Sequence, residues 1–99
     1  MSELERQILH CLQTLVPSAQ HFDFHAIVND RSSSVEFFST IDGQRYQCYD
    51  MIDNNMLNEA AFDKTRKDIL QYIRTSACYK KREFNTVKFS LDVLKHSCL

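Results

Sequence analysis

Four histidines, four cysteines and thirteen acidic side chains are the groups in this 99-residue chain able to hold a metal, attack a bond or move a proton. His21 and His25 stand four apart, which on a helix would place both on one face. They lie in an alternating segment instead, where that spacing separates them by about 13 Å, too far for one zinc ion. His10, His96 and the cysteines Cys11, Cys48, Cys78 and Cys98 show no ligand spacing and no CxxC pair, so no metal or other cofactor is expected. A catalytic nucleophile needs a base beside it and a turn that exposes it. The chain has one glycine, Gly43, which can build neither a nucleophile elbow nor a phosphate-cradling loop. His25, Glu36 and Arg45 could meet across adjacent strands as an acid–base set, although such neighbours are common on any solvated sheet face. The chemistry-bearing residues therefore point away from an enzyme.

Charge is more informative than reactivity. The net charge is −1, which excludes a polycation that binds nucleic acid by bulk attraction. Its distribution is uneven: residues 42–63 hold five acids against one base, and residues 64–82 hold seven bases against one acid. A chain polarised in this way can steer toward a charged partner. In the acidic stretch Asp42, Asp50, Asp53, Glu59 and Asp63 are interleaved with Tyr46, Tyr49, Met51 and Met56. Carboxylates beside aromatic and methionine side chains suit an interface with a basic protein, such as a nuclease with a positive cleft. The alternative is that Tyr46 and the methionines complete the core. In the basic stretch Lys64, Arg66, Lys67, Arg74, Lys80, Lys81 and Arg82 accompany Tyr72 and Tyr79, a set able to contact phosphates and stack on bases. The negative charge elsewhere disfavours that partner, and a solvated helix face explains the same residues.

The elements that must position these groups read as follows. Ser2 and Glu5 have the spacing of a capping box, and Leu4, Ile8, Cys11, Leu12 and Leu15 recur at helical spacing until Pro17 forbids continuation. This predicts a helix over 3–15. Alternation predicts strands over 22–29, 34–41 and 44–50, with Asp42-Gly43 as a hairpin turn between the last two. Phe37 and Phe38 must then point to opposite faces, so the second needs cover. Met51, Ile52, Met56 and Leu57 tuck a connecting turn against the sheet. A long helix follows, capped by Asn58 or Asp63, with Phe62, Thr65, Ile69, Tyr72, Ile73 and Ala77 on its apolar stripe. Val87, Phe89 and Leu91 alternate in a final strand over 83–91, and residues 92–99 read as a flexible tail. The order α-β-β-β-α-β makes a single α+β domain, one layer of sheet packed by helices.

The early apolar residues are interrupted by Glu3, Glu5 and Arg6, unlike a secretory signal. No stretch approaches the roughly 20 apolar residues that span a bilayer. A cytoplasmic setting with free thiols is expected.

Several stretches together resemble the YezG-like immunity and antitoxin proteins. They are the helix breaking at Leu15-Val16-Pro17, the aromatic strands 22–29 and 35–41, the Asp42-Gly43 turn, the long helix and the closing strand Glu83-Phe84-Asn85-Thr86-Val87-Lys88-Phe89-Ser90-Leu91. That family often carries a tryptophan soon after the proline; here the chain reads Ser18-Ala19-Gln20-His21-Phe22, with Phe22 as the aromatic. The resemblance implies a small bacterial cytoplasmic protein that neutralises a nuclease toxin of the contact-dependent growth inhibition kind. It would do so by stoichiometric occlusion and without catalysis. The expected partner-binding residues are Asp42, Tyr46, Tyr49, Asp50, Asp53, Glu59 and Asp63, whose carboxylates would replace nucleic-acid phosphates. No membrane partner is implied. The alternative function is a small nucleic-acid-binding or regulatory protein using the basic helix 64–82.

Overall fold

A computed structural model describes residues 2–29, 31–77, 79 and 85–93. The element order is α1 (Glu3–Leu15), β1 (His21–Val28), β2 (Ser33–Ile41), β3 (Gln44–Gln47), α2 (Cys48–Asp53), α3 (Glu59–Thr75) and β4 (Asn85–Asp92). The expected α+β class and the expected first helix are what the chain forms. At the start of α1 the Glu5 amide donates to Ser2 Oγ and the Ser2 hydroxyl donates to Glu5 Oε1, each at 3.2 Å. One of the amides a helix start leaves unpaired is satisfied in this way, and the hydroxyl-to-carboxylate bond holds the cap in place.

The four strands form one antiparallel sheet in the order β3-β2-β1-β4. Asp42 and Gly43 both take positive φ, 51° and 80°, as a two-residue type I′ hairpin requires. Alternation sends Phe22, Phe24, Ala26 and Val28 of β1, Val35 and Phe37 of β2, and Leu91 of β4 into the core. There they meet Ile8, Leu9 and Leu12 of α1 and Phe62, Ile69, Leu70 and Ile73 of α3. Phe22 and Phe37 meet edge to face at 6.1 Å between centroids, a geometry that adds about 0.5–1.5 kcal/mol beyond burial. Helices thus cover one side of the sheet. The Cα dimensions, 40 × 34 × 17 Å, are those of two layers.

The third strand is shorter than its composition predicts. The alternating pattern extends it through residues 48–50, but β3 stops at Gln47. The Gln47 side chain then accepts from the amides of Tyr49 (2.9 Å) and Asp50 (3.1 Å). That double cap starts α2 and folds Cys48, wholly buried, under the sheet edge. Cys48 is therefore a helical residue rather than a strand residue. Asn58, not Asp63, caps α3, its Oδ1 accepting from the Ala61 amide at 2.9 Å. Asp92 closes β4; positions 83, 84 and 94–99 of the expected final strand and tail lie outside the described residues.

Candidate partner-binding site

The end of the sheet that β3 leaves early is finished by α2. Where β3 pairs with Phe38–Ile41, the next stretch of the β2 edge meets Tyr49, whose hydroxyl donates to the Val35 carbonyl at 2.8 Å. The Tyr49 ring stands edge-on to Phe62 of α3, 5.5 Å between centroids, and Phe62 in turn touches Phe37 in the core. A hydrogen bond and an aromatic column therefore fix the tyrosine, although the residue remains 44% exposed. Burial, the largest influence, raises the pKa of its phenol. The Cys48 thiol, Glu36 and Asp63 act in the same direction and Arg66 opposes them. At neutral pH the phenol is a neutral donor.

Tyr49, Ile52 and Asp53 from α2 and Glu59, Phe62 and Asp63 from α3 line one shallow cleft of about 220 Å³. Its floor is aromatic and aliphatic, and its rim carries three carboxylates. One of them, Asp63, has Arg66 Nε at 3.8 Å. Met56 projects from the turn between the two helices and is 46% exposed. Tyr49 and Met56 are the exposed large apolar side chains among the described residues, and both sit at this end.

Four of the seven expected partner-binding residues, Tyr49, Asp53, Glu59 and Asp63, meet at the cleft. Asp50 is on the same short helix and exposed, in its first turn. Asp42 and Tyr46 are elsewhere. Asp42 belongs to the hairpin tip, where its amide donates to Gln20 Oε1 at 2.8 Å. Tyr46 opposes the buried Ser39 across β2 and β3, so it lies on the core side and is half-buried against the apolar cluster. Its hydroxyl donates to Gln44 Oε1 at 3.0 Å.

The basic set divides. At 100° per residue Lys64, Lys67 and Arg74 share the outer face of α3, while Arg66 falls on the opposite side beside Asp63. Asp68 stands on the outer face with Lys64, 4.0 Å away. Lys80, Lys81 and Arg82 lie outside the described residues.

The uncovered side of the sheet holds a polar network that alternation alone does not disclose. Asp23 Oδ2 is 3.4 Å from Arg45 Nη2, and its Oδ1 is 3.3 Å from His21 Nε2. That same nitrogen lies 3.0 Å from Ser90 Oγ. A catalytic triad divides its aspartate and serine between the two ring nitrogens. Here one nitrogen meets both, so the group ties β1, β3 and β4 together without activating the hydroxyl. The Arg45 guanidinium rests 4.0 Å above the Phe38 ring and supplies the cover that this second phenylalanine needs. His25 opposes Glu36 on β2 and Lys88 on β4, whereas Arg45 opposes Thr40, so the His25–Glu36–Arg45 set does not assemble.

Burial raises the thiol pKa of Cys48 and of half-buried Cys11. A thiolate is the reactive form, so neither is primed to attack. Among the described residues no cluster of three or more His, Cys, Asp or Glu side chains could hold a metal ion, and no helix is long and apolar enough to cross a membrane. Comparison with protein-family models, characterised proteins and solved structures returns no match to the chain.

Proposed function

We propose that this chain is an immunity protein: a non-enzymatic, cytoplasmic inhibitor that binds a cognate bacterial toxin domain, a basic nuclease, through the α2–α3 end. The observation that carries the reading is the convergence of Tyr49, Asp53, Glu59 and Asp63 on one cleft, with Met56 exposed beside them. Such an end supplies what a charged interface uses. Aromatic and methionine atoms give area and affinity, and carboxylates give encounter rate and discrimination. Tyr49 is held before binding, so little side-chain entropy is lost when it is covered. The carboxylates stand in for the phosphates that a nuclease cleft attracts, and the bulk of the protein then blocks entry of nucleic acid. The YezG-like resemblance of the strands and helices agrees with this class.

The test is co-expression with a toxin domain, which this reading expects to be encoded beside the gene. A complex of one toxin to one inhibitor chain that has lost nuclease activity is the expected result. Failure to co-purify, or a complex with full nuclease activity, contradicts the reading.

A further inference from the structure

At the far side of the sheet β4 is an edge strand among the described residues, and it lacks the bulge and the proline that often blunt one. It pairs with β1 one-to-one from Asn85 to Asp92 without a bulge and contains no proline. Its charged residues are Lys88 and Asp92. A regular edge presents outward amides and carbonyls to any strand that can align with them. We propose that β4 is the seam of a symmetric homodimer, in which it pairs antiparallel with β4 of a second copy.

The backbone and the charges together select the register. The Val93 amide donates inward to the Gln20 carbonyl at 3.0 Å. Successive peptides of a strand alternate sides, so Thr86, Lys88, Ser90 and Asp92 turn their amides and carbonyls outward. Two such edges join only where even-numbered positions face each other. With the twofold axis at Ser90, Lys88 faces Asp92 of the second copy, and the converse pair repeats it. With the axis at Phe89, Lys88 faces Ser90; with the axis at Lys88, it faces its own copy. Opposite charges directly across a ladder stabilise and like charges destabilise, so the Ser90 axis is favoured. Asp92 also has an interaction within its own chain, and the intermolecular pair adds to it.

The same register matches the apolar side. Phe89 would stand opposite Leu91 of the second copy on the helix-covered side of the sheet; Leu91 is already buried in its own chain, so the apolar surface to be covered is that of Val87 and Phe89. In the single chain Val87 and Phe89 are only half-buried, and with Leu4 and Tyr72 they line a groove of about 610 Å³ beside the strand. A second copy would cover part of that surface. The seam is at the opposite edge from α2, so both acidic clefts would stay open in the dimer. The proposal does not rest on the inhibitor reading, and failure of either leaves the other standing.

Sedimentation equilibrium of the full chain tests it. The expected mass rises with concentration to twice the 11.7 kDa of the chain. Lys88→Asp and Asp92→Lys should each weaken the dimer by about tenfold or more, because every contact occurs twice, and the double exchange should restore it. Ser90→Pro removes an outward amide, leaves the β1 ladder bonded, and should give a folded monomer by circular dichroism. A wild-type chain that stays monomeric at millimolar concentration overturns the proposal, as does a dimer indifferent to Ser90→Pro. A double exchange that fails to restore association overturns it too, and this outcome does not depend on the proline variant folding.

Discussion

At one edge of the sheet β3 ends after four residues and the chain turns into α2, which carries Tyr49 across the remaining edge to the Val35 carbonyl. At the other edge β4 continues for eight residues in unbroken register. The first edge is closed by a helix and decorated with carboxylates, exposed apolar atoms and a cleft. The second keeps its backbone polarity outward with two opposite charges. An edge covered by side chains can be specific for a partner's surface, whereas an edge of bare backbone is specific for another strand. The two proposed partners would thus use two different edges, and what separates those edges is the turn into α2 fixed by the Gln47 cap and the Tyr49 contact.

Variants at the acidic end should break this contrast most strongly. Phe62→Ala removes the ring between Phe37 and Tyr49 and should cost about 3–5 kcal/mol in chemical denaturation, collapsing the cleft floor. Gln47→Ala removes the acceptor for two α2 amides and should cost about 1–2 kcal/mol. Amide exchange should then quicken at Tyr49 and Asp50 before α3 is affected. Removal of either helix-end support without such local exchange would mean that α2 is held by packing alone. At Ser39, a fully buried hydroxyl whose oxygen has no hydrogen-bond partner among the described residues, Ser39→Ala should raise stability by up to about 1 kcal/mol. That core position lies between the two edges and should leave recognition at both unchanged.

The pH dependence is smaller and has a definite sign. Burial raises the folded-state pKa of Cys48 and Tyr49, so the folded chain holds their protons more tightly than the unfolded chain does. Stability should be level below about pH 9, the ordinary value for a thiol, and fall as pH rises beyond it. Denaturation midpoints across pH 8–11 measure this, and Tyr49→Phe should flatten the upper part of the decline. A stability that increases through that window would contradict the burial of both groups.

Much of this fold is legible in the chain. Helical spacing with a Ser2–Glu5 box and a following proline sets α1, and alternation around Asp42-Gly43 sets β2 and the start of β3. What is not legible is where β3 stops. Arg45-Tyr46-Gln47-Cys48-Tyr49 has strand composition throughout, and glutamine is not a favoured helix cap. The tertiary contact of Tyr49 with Val35 and Phe62 decides against extension. The placement of β4 beside β1 is likewise invisible in local pattern, so the His21–Ser90 contact, 69 residues apart, could not be foreseen. The acidic site was readable as composition. Its convergence depends on the turn at 54–58 that brings Asp53 and Glu59 to one cleft, whereas the register of β3 turns Tyr46 to the core side and away from it.

The most direct measurement is a calorimetric titration of a cognate toxin domain, as the proposed function requires, with wild-type chain and with the triple variant Asp50→Lys, Asp53→Lys, Glu59→Lys. All three residues are exposed; Asp50 and Glu59 stand in first helical turns, where a lysine costs about 0.3–1 kcal/mol against the helix dipole, so the variant should fold with slightly lower stability. A loss of affinity of about a hundredfold or more is expected, with a smaller salt dependence in what remains. Lys64→Ala with Lys67→Ala, on the outer face of α3, should leave the affinity within a few fold. Equal affinity of the triple variant and the wild-type chain would contradict the claim that the α2–α3 end is where the partner binds.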